Sequence, residues 1–118
     1  MIGVGIDAVD VERFAAVLAR RPALVERLFT DGERADAGGS VLRLGARFAA
    51  KEAVMKALGV GLGAFKLREV EVVRLASGAP EVRLHGAAAA LAAERGVRRW
   101  HLSLTHTALT AQAIALAE

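Results

Sequence analysis

The side chains best suited to chemistry in this chain lie together in residues 47–59. Of the 16 basic residues in the chain, only Lys51, Lys56 and Lys66 are lysine, and the rest are arginine. A lysine presents a compact ammonium where an arginine presents a planar guanidinium, so two lysines kept here indicate a need for the ammonium group. Glu52 lies between them. An acid and two lysines among small residues on one predicted helix indicate a surface that handles phosphate.

The spacing of the charged residues on this helix has two interpretations. Glu52 and Lys56 are four residues apart, so they lie about 40° from each other around the helix axis. They could form an ordinary ion pair, with Lys56 also favoured near the helix C-terminus by the helix dipole. Arg47 and Lys51 form a second stripe, where two cations one turn apart repel each other unless an anion lies across them. The spacing alone leaves both interpretations open.

A second acid, Asp7, follows the apolar segment 2–6, which we predict to be a buried strand with Asp7 at its end. Such an acid is often only a cap or a turn former. If Asp7 and Glu52 converge near a lysine, however, they suit Mg²⁺ in phosphate chemistry, because Mg²⁺ keeps several waters and takes oxygens from substrate phosphates. His106 ends an apolar strand face, where it is either an imidazole at the edge of the core or a further site residue.

The size and composition of the chain exclude several classes of site. With 118 residues, the chain matches one domain, 1–118. It has no cysteine, which excludes disulfides and thiolate metal sites, and its three histidines do not have the spacing of an HExxH zinc motif.

The charge of the chain favours an anionic partner. A net charge of +3 and a pI near 10.2 would suit nucleic acid, a phosphorylated small molecule or an acidic protein. Four Phe, one Trp and no Tyr leave little for stacking on bases, which argues against nucleic acid.

The residue pattern does not predict a membrane segment at either end of the chain. Residues 1–7 lack the basic start and the longer apolar run of a signal peptide, so we expect a cytoplasmic protein. The uncharged segment 100–117 is interrupted by Ser, Thr, His and Gln, and we interpret it as two strands rather than as a bilayer helix.

The pattern of apolar residues, caps and turns predicts an α+β fold, in which a small antiparallel or mixed sheet packs against one long helix and several short helices. Thr30 and Glu33 form a capping-box pattern, and Ser40 and Gly59 bound the long helix. The predicted strands are 2–6, 70–73, 81–84, 100–106 and 110–116, and the predicted helices are 11–19, 22–29, a short one from 30, 41–58 and 87–94.

The last predicted strand is apolar on both faces. Ile114 and Leu116 lie on one face, and the alanines at 111, 113, 115 and 117 lie on the other. Because neither face is suited to water, this strand predicts a subunit interface.

Three sequence blocks carry a resemblance to a known family. They are the G-I-D of residues 5–7 leading to E-R-F at 12–14, F-A-A-K-E-A-V-M-K-A-L-G at 48–59, and L-S-L-T-H-T at 102–107. In this order and in so short a chain, they resemble the holo-[acyl-carrier-protein] synthases, the small 4′-phosphopantetheinyl transferases. The resemblance covers essentially the whole chain.

The resemblance implies an enzyme that moves 4′-phosphopantetheine from coenzyme A to a serine of an apo acyl carrier protein and leaves adenosine 3′,5′-bisphosphate. It implies a homotrimer with active sites between subunits, and Lys56 as the group that stabilises the leaving phosphate. The implied metal ligands, for Mg²⁺, are Asp7 and Glu52. The implied coenzyme A contacts are Arg47, Lys51, Lys56, Gly59, Gly61, Gly63 and His106, and Arg13 is the implied carrier-protein contact.

The resemblance leaves several points open. Either a carboxylate or a metal-bound water could take the serine proton, the metal could be Mg²⁺ or Mn²⁺, and the carrier protein could serve fatty acid or polyketide synthesis. Ala79 and Thr110 depart from the usual family pattern, which bears on carrier preference and on the shape of the nucleotide pocket. The alternatives are a non-catalytic coenzyme A or nucleotide-binding module and a basic nucleic-acid binder. Neither explains two acids on a phosphate-facing surface, because carboxylates repel an anionic ligand unless a metal intervenes.

Overall fold

Five helices, five strands and one 3₁₀ turn follow one another in the computed structural model, which describes residues 1–118. In chain order they are β1 (Gly3–Asp10), α1 (Val11–Arg20), α2 (Leu24–Leu28), α3 (Asp31–Ala37), α4 (Val41–Ala57), the 3₁₀ turn (Leu67–Glu69), β2 (Val70–Arg74), β3 (Pro80–Leu84), α5 (Gly86–Glu94), β4 (Trp100–His106) and β5 (Thr110–Ala117).

The strands form two antiparallel sheets, a three-stranded sheet in the order β1-β5-β4 and the β2-β3 hairpin. In the larger sheet Asp7 is opposite Ala113, and His106 is opposite Ala111. The predicted α+β class is confirmed. The prediction that Asp7 ends the first strand is wrong, because β1 keeps its pairing with β5 as far as Asp10.

Helix α4 lies across one face of the three-stranded sheet, and two glycines of β1 allow it to come close. A Cβ atom on Gly5 would lie 1.8 Å from the carbonyl oxygen of Ala53, and one on Gly3 would lie 1.9 Å from that of Ala57. The alanines of β5 lie on this same face and are buried. Small residues on both sides therefore bring the α4 backbone almost into contact with β1.

The other face of the sheet is not covered by any element of the chain, and it is apolar along β1 and much of β5 but carries polar residues of β4. Its exposed side chains include Val4, Ile6 and Ile114, with Ile6 63% exposed. The predicted two-sided apolarity of β5 is present, since its alanines are buried while Ile114 is exposed.

Two predicted helix starts are confirmed by side-chain caps, whereas the helix predicted over 22–29 is shorter, Leu24–Leu28, and has no side-chain cap. Thr30 and Glu33 form both hydrogen bonds of a capping box at the start of α3, and the Ser40 hydroxyl accepts from the Arg43 backbone at the start of α4. These caps fix the N-termini of α3 and of α4, and α4 holds most of the charged site residues. No helix of the chain combines the length and the apolar character needed to cross a bilayer.

Candidate active site

Asp7 and Lys56 meet where the last turn of α4 passes over β1. The Lys56 ammonium donates to the Asp7 carboxylate at 3.1 Å and to the Ile6 carbonyl at 2.9 Å. The Lys56 side chain is 53% exposed and that of Asp7 is 18% exposed, so the pair lies at the surface with the carboxylate partly sheltered. The meeting of these two side chains depends on the glycines of β1, which let α4 approach.

Glu52 lies one turn before Lys56 on the same side of α4, and its environment disfavours negative charge. Partial burial raises the pKa of Glu52, the nearby Asp7 carboxylate raises it further, and Lys56 opposes both effects. Two carboxylates therefore repel each other here, and the single lysine offsets this only in part.

The donor set fits a hard divalent cation that also binds phosphate. Asp7 and Glu52 supply carboxylate oxygens, and no group of three or more acidic, histidine or cysteine side chains forms a complete protein cage anywhere in the chain. Mg²⁺ is commonly bound by one or two carboxylates, with waters and substrate phosphates completing its octahedron. The mutual repulsion of the two acids is what such a cation would relieve.

Arg47 and His106 line a separate cavity of about 360 Å³ between the first half of α4, the β2-β3 hairpin and β4. Two further arginines, Arg43 and Arg74, also line it. The Arg47 guanidinium pairs with Asp36 and donates to the Arg43 carbonyl at 3.3 Å, while its buried Nε has no partner. Three arginines and a histidine make this cavity suited to an anionic ligand.

Helix α4 separates the cavity from the carboxylate pair. Arg47 and Lys56 are nine residues apart, which places them about 180° from each other around the helix axis. The predicted site residues thus form two groups on opposite sides of α4, one containing Asp7, Glu52 and Lys56 and the other Arg47 and His106.

The predicted phosphate contact of Lys51 needs correction. Its side chain is fully buried, and its ammonium donates to the Glu33 carboxylate at 2.7 Å and to the backbone carbonyls of Leu67 and Val70. Burial lowers the pKa of Lys51, while the charge and hydrogen bond of Glu33 act in the opposite direction. An anion from solvent cannot reach this ammonium, because every donor is already used inside the protein.

The predicted glycine loop follows directly after Lys56. Gly59 and Gly63 have positive φ angles of 72° and 99°, which favour glycine. A Cβ atom on Gly61 or Gly63 would meet no atom within 4 Å, so the backbone of this loop is open to an approaching ligand.

Arg13 lies along a mainly apolar groove that also contains Glu52. The groove runs between α1, α2 and α4, has a volume of about 390 Å³, and includes Phe14, Val17 and Phe48. Sequence reasoning missed this groove, although the apolar stripe of α1 is a signal for it.

Arg43 and Arg74 were also missed. Arg43 is one turn before Arg47, so the helical spacing could have identified it. Arg74 has no local signal, since only the turn of the hairpin brings it to the cavity.

Comparison with known proteins identifies a family for almost the whole chain. Residues 3–117 match the family model described as the 4′-phosphopantetheinyl transferase superfamily. The holo-[acyl-carrier-protein] synthase of Beutenbergia cavernae is 52% identical over 118 residues, covering 100% of this chain and 98% of the relative. That of Streptomyces coelicolor is 50% identical over 121 residues, with the same coverage of each chain.

Solved structures agree with these sequence relatives. The holo-[acyl-carrier-protein] synthase of Neisseria meningitidis matches with a TM-score of 0.91 at 33% identity, over 100% of this chain and 98% of that one. The holo-(acyl-carrier-protein) synthase of Bacillus anthracis, in complex with CoA (3′,5′-ADP), matches with a TM-score of 0.80 at 29% identity, over 98% and 95%.

Proposed function

The chain belongs to the 4′-phosphopantetheinyl transferase superfamily, and from this membership we propose that it acts as a holo-[acyl-carrier-protein] synthase. It transfers the 4′-phosphopantetheine group of coenzyme A to a serine of apo acyl carrier protein and releases adenosine 3′,5′-bisphosphate. The observation that carries the proposal is the convergence of Asp7, Glu52 and Lys56 at one surface. The match over residues 3–117 supports a single transferase domain spanning 1–118.

Asp7 and Glu52 are the residues that would hold Mg²⁺. When bound, Mg²⁺ neutralises charge on the pyrophosphate of coenzyme A. Supporting this assignment, burial raises the pKa of Glu52 and the nearby Asp7 carboxylate raises it further, and a bound cation would offset both effects. The Asp7 side chain also accepts a hydrogen bond from Lys56, which orients its carboxylate.

Lys56 stabilises the negative charge that develops on the leaving phosphate. Its ammonium is exposed enough to meet a ligand and is already oriented by Asp7 and the Ile6 carbonyl. A donor oriented before the reaction stabilises developing charge with little reorganisation, which is the property that electrostatic catalysis requires.

The basic cavity holds the nucleotide end of coenzyme A. Arg47 and His106 were predicted as coenzyme A contacts, and Arg43 and Arg74 increase the positive charge beside them. The glycine loop after Lys56, with Gly59, Gly61 and Gly63, supplies backbone close to the substrate at the other side of α4.

A complete site forms between neighbouring subunits of a homotrimer. The reason is that α4 lies between the basic cavity and the carboxylate pair within one chain. The cavity of one subunit would bind the nucleotide end while Asp7, Glu52 and Lys56 of the next bind the pyrophosphate. The uncovered apolar face with Val4 and Ile6 supports self-association, because monomers rarely expose contiguous apolar surface without a partner.

The apo acyl carrier protein docks along the groove beside α1. Arg13 is exposed at this groove and carries a charge suited to an acidic carrier, while the apolar lining provides contact area. Since Glu52 lies in the same groove, a docked carrier could present its serine to the reacting phosphate.

The test is the intact mass of an apo acyl carrier protein after incubation with this chain, coenzyme A and Mg²⁺. We expect a gain equal to one phosphopantetheine group, and we expect EDTA to abolish it. A non-catalytic coenzyme A-binding module would bind coenzyme A without any mass gain. That result, or transfer that is unaffected by EDTA, would contradict the proposal.

A further inference from the structure

Lys51 and Glu33 form an ion pair in which both side chains are fully buried. All three donors of the Lys51 ammonium are used, by Glu33, the Leu67 carbonyl and the Val70 carbonyl. The ammonium also lies 5.3 Å from the centroid of the Phe29 ring. Every other ion pair of the chain has at least one partly exposed side chain, so this pair is a distinct feature of the interior.

Glu33 is itself held rigidly by the backbone of two other segments. One of its oxygens accepts from the Thr30 backbone N–H at 3.0 Å, and the other accepts from that of Val72 at 3.0 Å. The pair therefore connects α4 to the start of α3, to the 3₁₀ turn and to β2. Through Lys51, a point midway along α4 is fixed relative to all three segments.

Apart from Lys51, the α4 residues that form ion pairs are Lys56 and Arg47, and both of those pairs are partly exposed. On the sheet side, contact is made by small residues, with Ala53 and Ala57 lying against Gly5 and Gly3. Apolar contact is non-directional, whereas a hydrogen bond depends steeply on distance and angle. The Lys51 hydrogen bonds are thus the fully buried directional restraint on α4, beside the partly exposed bonds of Lys56 and Arg47.

Glu52 is the next residue along the helix, about 100° around the axis from Lys51. A rotation of α4 would carry the Glu52 carboxylate away from Asp7, and ligand constellations need to be held within about 0.5 Å of the productive geometry. The position of Glu52 relative to Asp7 thus depends on what Lys51 contacts in the interior.

We propose that Lys51 is a positioning residue, whose buried bond to Glu33 helps to set the rotation of α4 and so to place Glu52 near Asp7. This inference rests on the proposed function, since it assigns Glu52 to the metal and phosphate side of the site. Lys51 itself does not touch the substrate.

The test replaces the pair by apolar residues of similar size, in the double variant Lys51→Met with Glu33→Leu. The replacement leaves the backbone N–H groups of Thr30 and Val72 and the carbonyls of Leu67 and Val70 without these partners, so we expect the Tm to fall, and the measurements are made at a temperature where circular dichroism shows the variant folded. The first measurement is direct Mn²⁺ binding in the presence of coenzyme A but without carrier protein, followed by EPR of the free ion. We expect affinity to fall about tenfold or more, as for other residues that orient metal ligands.

The second measurement separates kcat from KM for coenzyme A. Loss of positioning lowers kcat and leaves KM little changed, because the basic cavity on the other side of α4 is intact. The matched control is the exposed ion pair Glu81 and Arg83, changed by Glu81→Gln with Arg83→Met, which we expect to alter none of these quantities.

A folded double variant with the Mn²⁺ affinity and kcat of the wild type would overturn the inference. Should the double variant fail to fold, Lys51→Arg takes its place, since it keeps a cation beside Glu33 but places its donors differently. We expect the Lys51→Arg variant to show the same losses of Mn²⁺ affinity and kcat. Wild-type values of both would again overturn the inference. The wild-type protein is assayed in parallel. If the wild type itself transfers nothing, the proposed function is contradicted, whereas unchanged values in a variant of an active wild type contradict only the role of Lys51.

Discussion

At the scale of single residues, the proposed chemistry depends on two acids, Asp7 and Glu52, that would repel each other without a cation. Burial and Asp7 both raise the pKa of Glu52, and Lys56 lowers it only in part. Lys56 thus partly offsets the negative charge of the two acids, and its ammonium is exposed enough to contact a phosphate as well. These two roles explain why residue 56 is a lysine in a chain whose basic residues are mostly arginine.

Replacing Lys56 by arginine should therefore impair transfer. Lys56→Arg keeps the charge but replaces a compact ammonium with a planar fork, which cannot donate to Asp7 and the Ile6 carbonyl in the same geometry. We expect kcat to fall by about tenfold or more. The measurement is the rate of carrier-protein mass gain at saturating coenzyme A.

The matched control for this change is Lys66→Arg, at an exposed lysine outside both groups of site residues. It should leave kcat at the wild-type value. Equal rates for Lys56→Arg and the wild type would remove Lys56 from the mechanism.

At the scale of elements, the site depends on how closely α4 approaches β1. Gly5→Ala would place a methyl group 1.8 Å from the Ala53 carbonyl oxygen, so the helix or the strand must move. We expect this overpacking to lower the free energy of unfolding by about 2 kcal/mol, measured by urea denaturation.

Gly61→Ala is the control for Gly5→Ala, since a Cβ atom at Gly61 meets nothing within 4 Å. Its free energy of unfolding should stay within about 0.5 kcal/mol of that of the wild type. If Gly5→Ala were equally harmless, the close helix-strand contact would not be what positions Asp7 and Lys56.

Local signals predicted the elements better than they predicted the position of Lys51. The capping residues Thr30 and Ser40 gave the starts of α3 and α4, because a cap acts on backbone groups within one turn. Lys51 was predicted to face phosphate, but its partner Glu33 lies 18 positions away, and nothing local indicates burial of that pair.

The convergence of Asp7 with α4 is a second long-range feature. Asp7 and Lys56 are 49 positions apart, and only the antiparallel packing of α4 on β1 brings them together. The residue pattern alone left open whether Asp7 and α4 come together. The family resemblance favoured that they do. The basic cavity was predicted in part, since Arg47 and His106 were named while Arg43 and Arg74 were not.

At the scale of the whole molecule, the proposed trimer would bring the two groups of site residues together across a subunit boundary. Homo-oligomers with heterologous interfaces bring different surfaces of identical chains together, which is the arrangement that a shared site requires. The exposed Val4, Ile6 and Ile114 side chains are the surface from which such an assembly could form.

Mixing two inactive variants tests this arrangement. One is Glu52→Ala, which damages the carboxylate group, and the other combines Arg43→Ala with His106→Ala, which damages the basic cavity. After the variants are unfolded and refolded together in equal amounts, one interface in four joins two intact halves, so activity should return to about a quarter of the wild-type value. Activity no greater than the sum of the separate variants would place the whole site within one chain.

The most direct measurement of the central claim is the intact mass of apo acyl carrier protein after incubation with the Asp7→Asn or the Glu52→Gln variant. Each change removes a carboxylate while keeping the shape of the side chain. With circular dichroism confirming that the variants are folded, the account predicts that each loses transfer by about 100-fold or more. The control Glu94→Gln, at an exposed acid on α5, should transfer like the wild type. A mass gain at nearly the wild-type rate with either the Asp7 or the Glu52 variant would contradict the account.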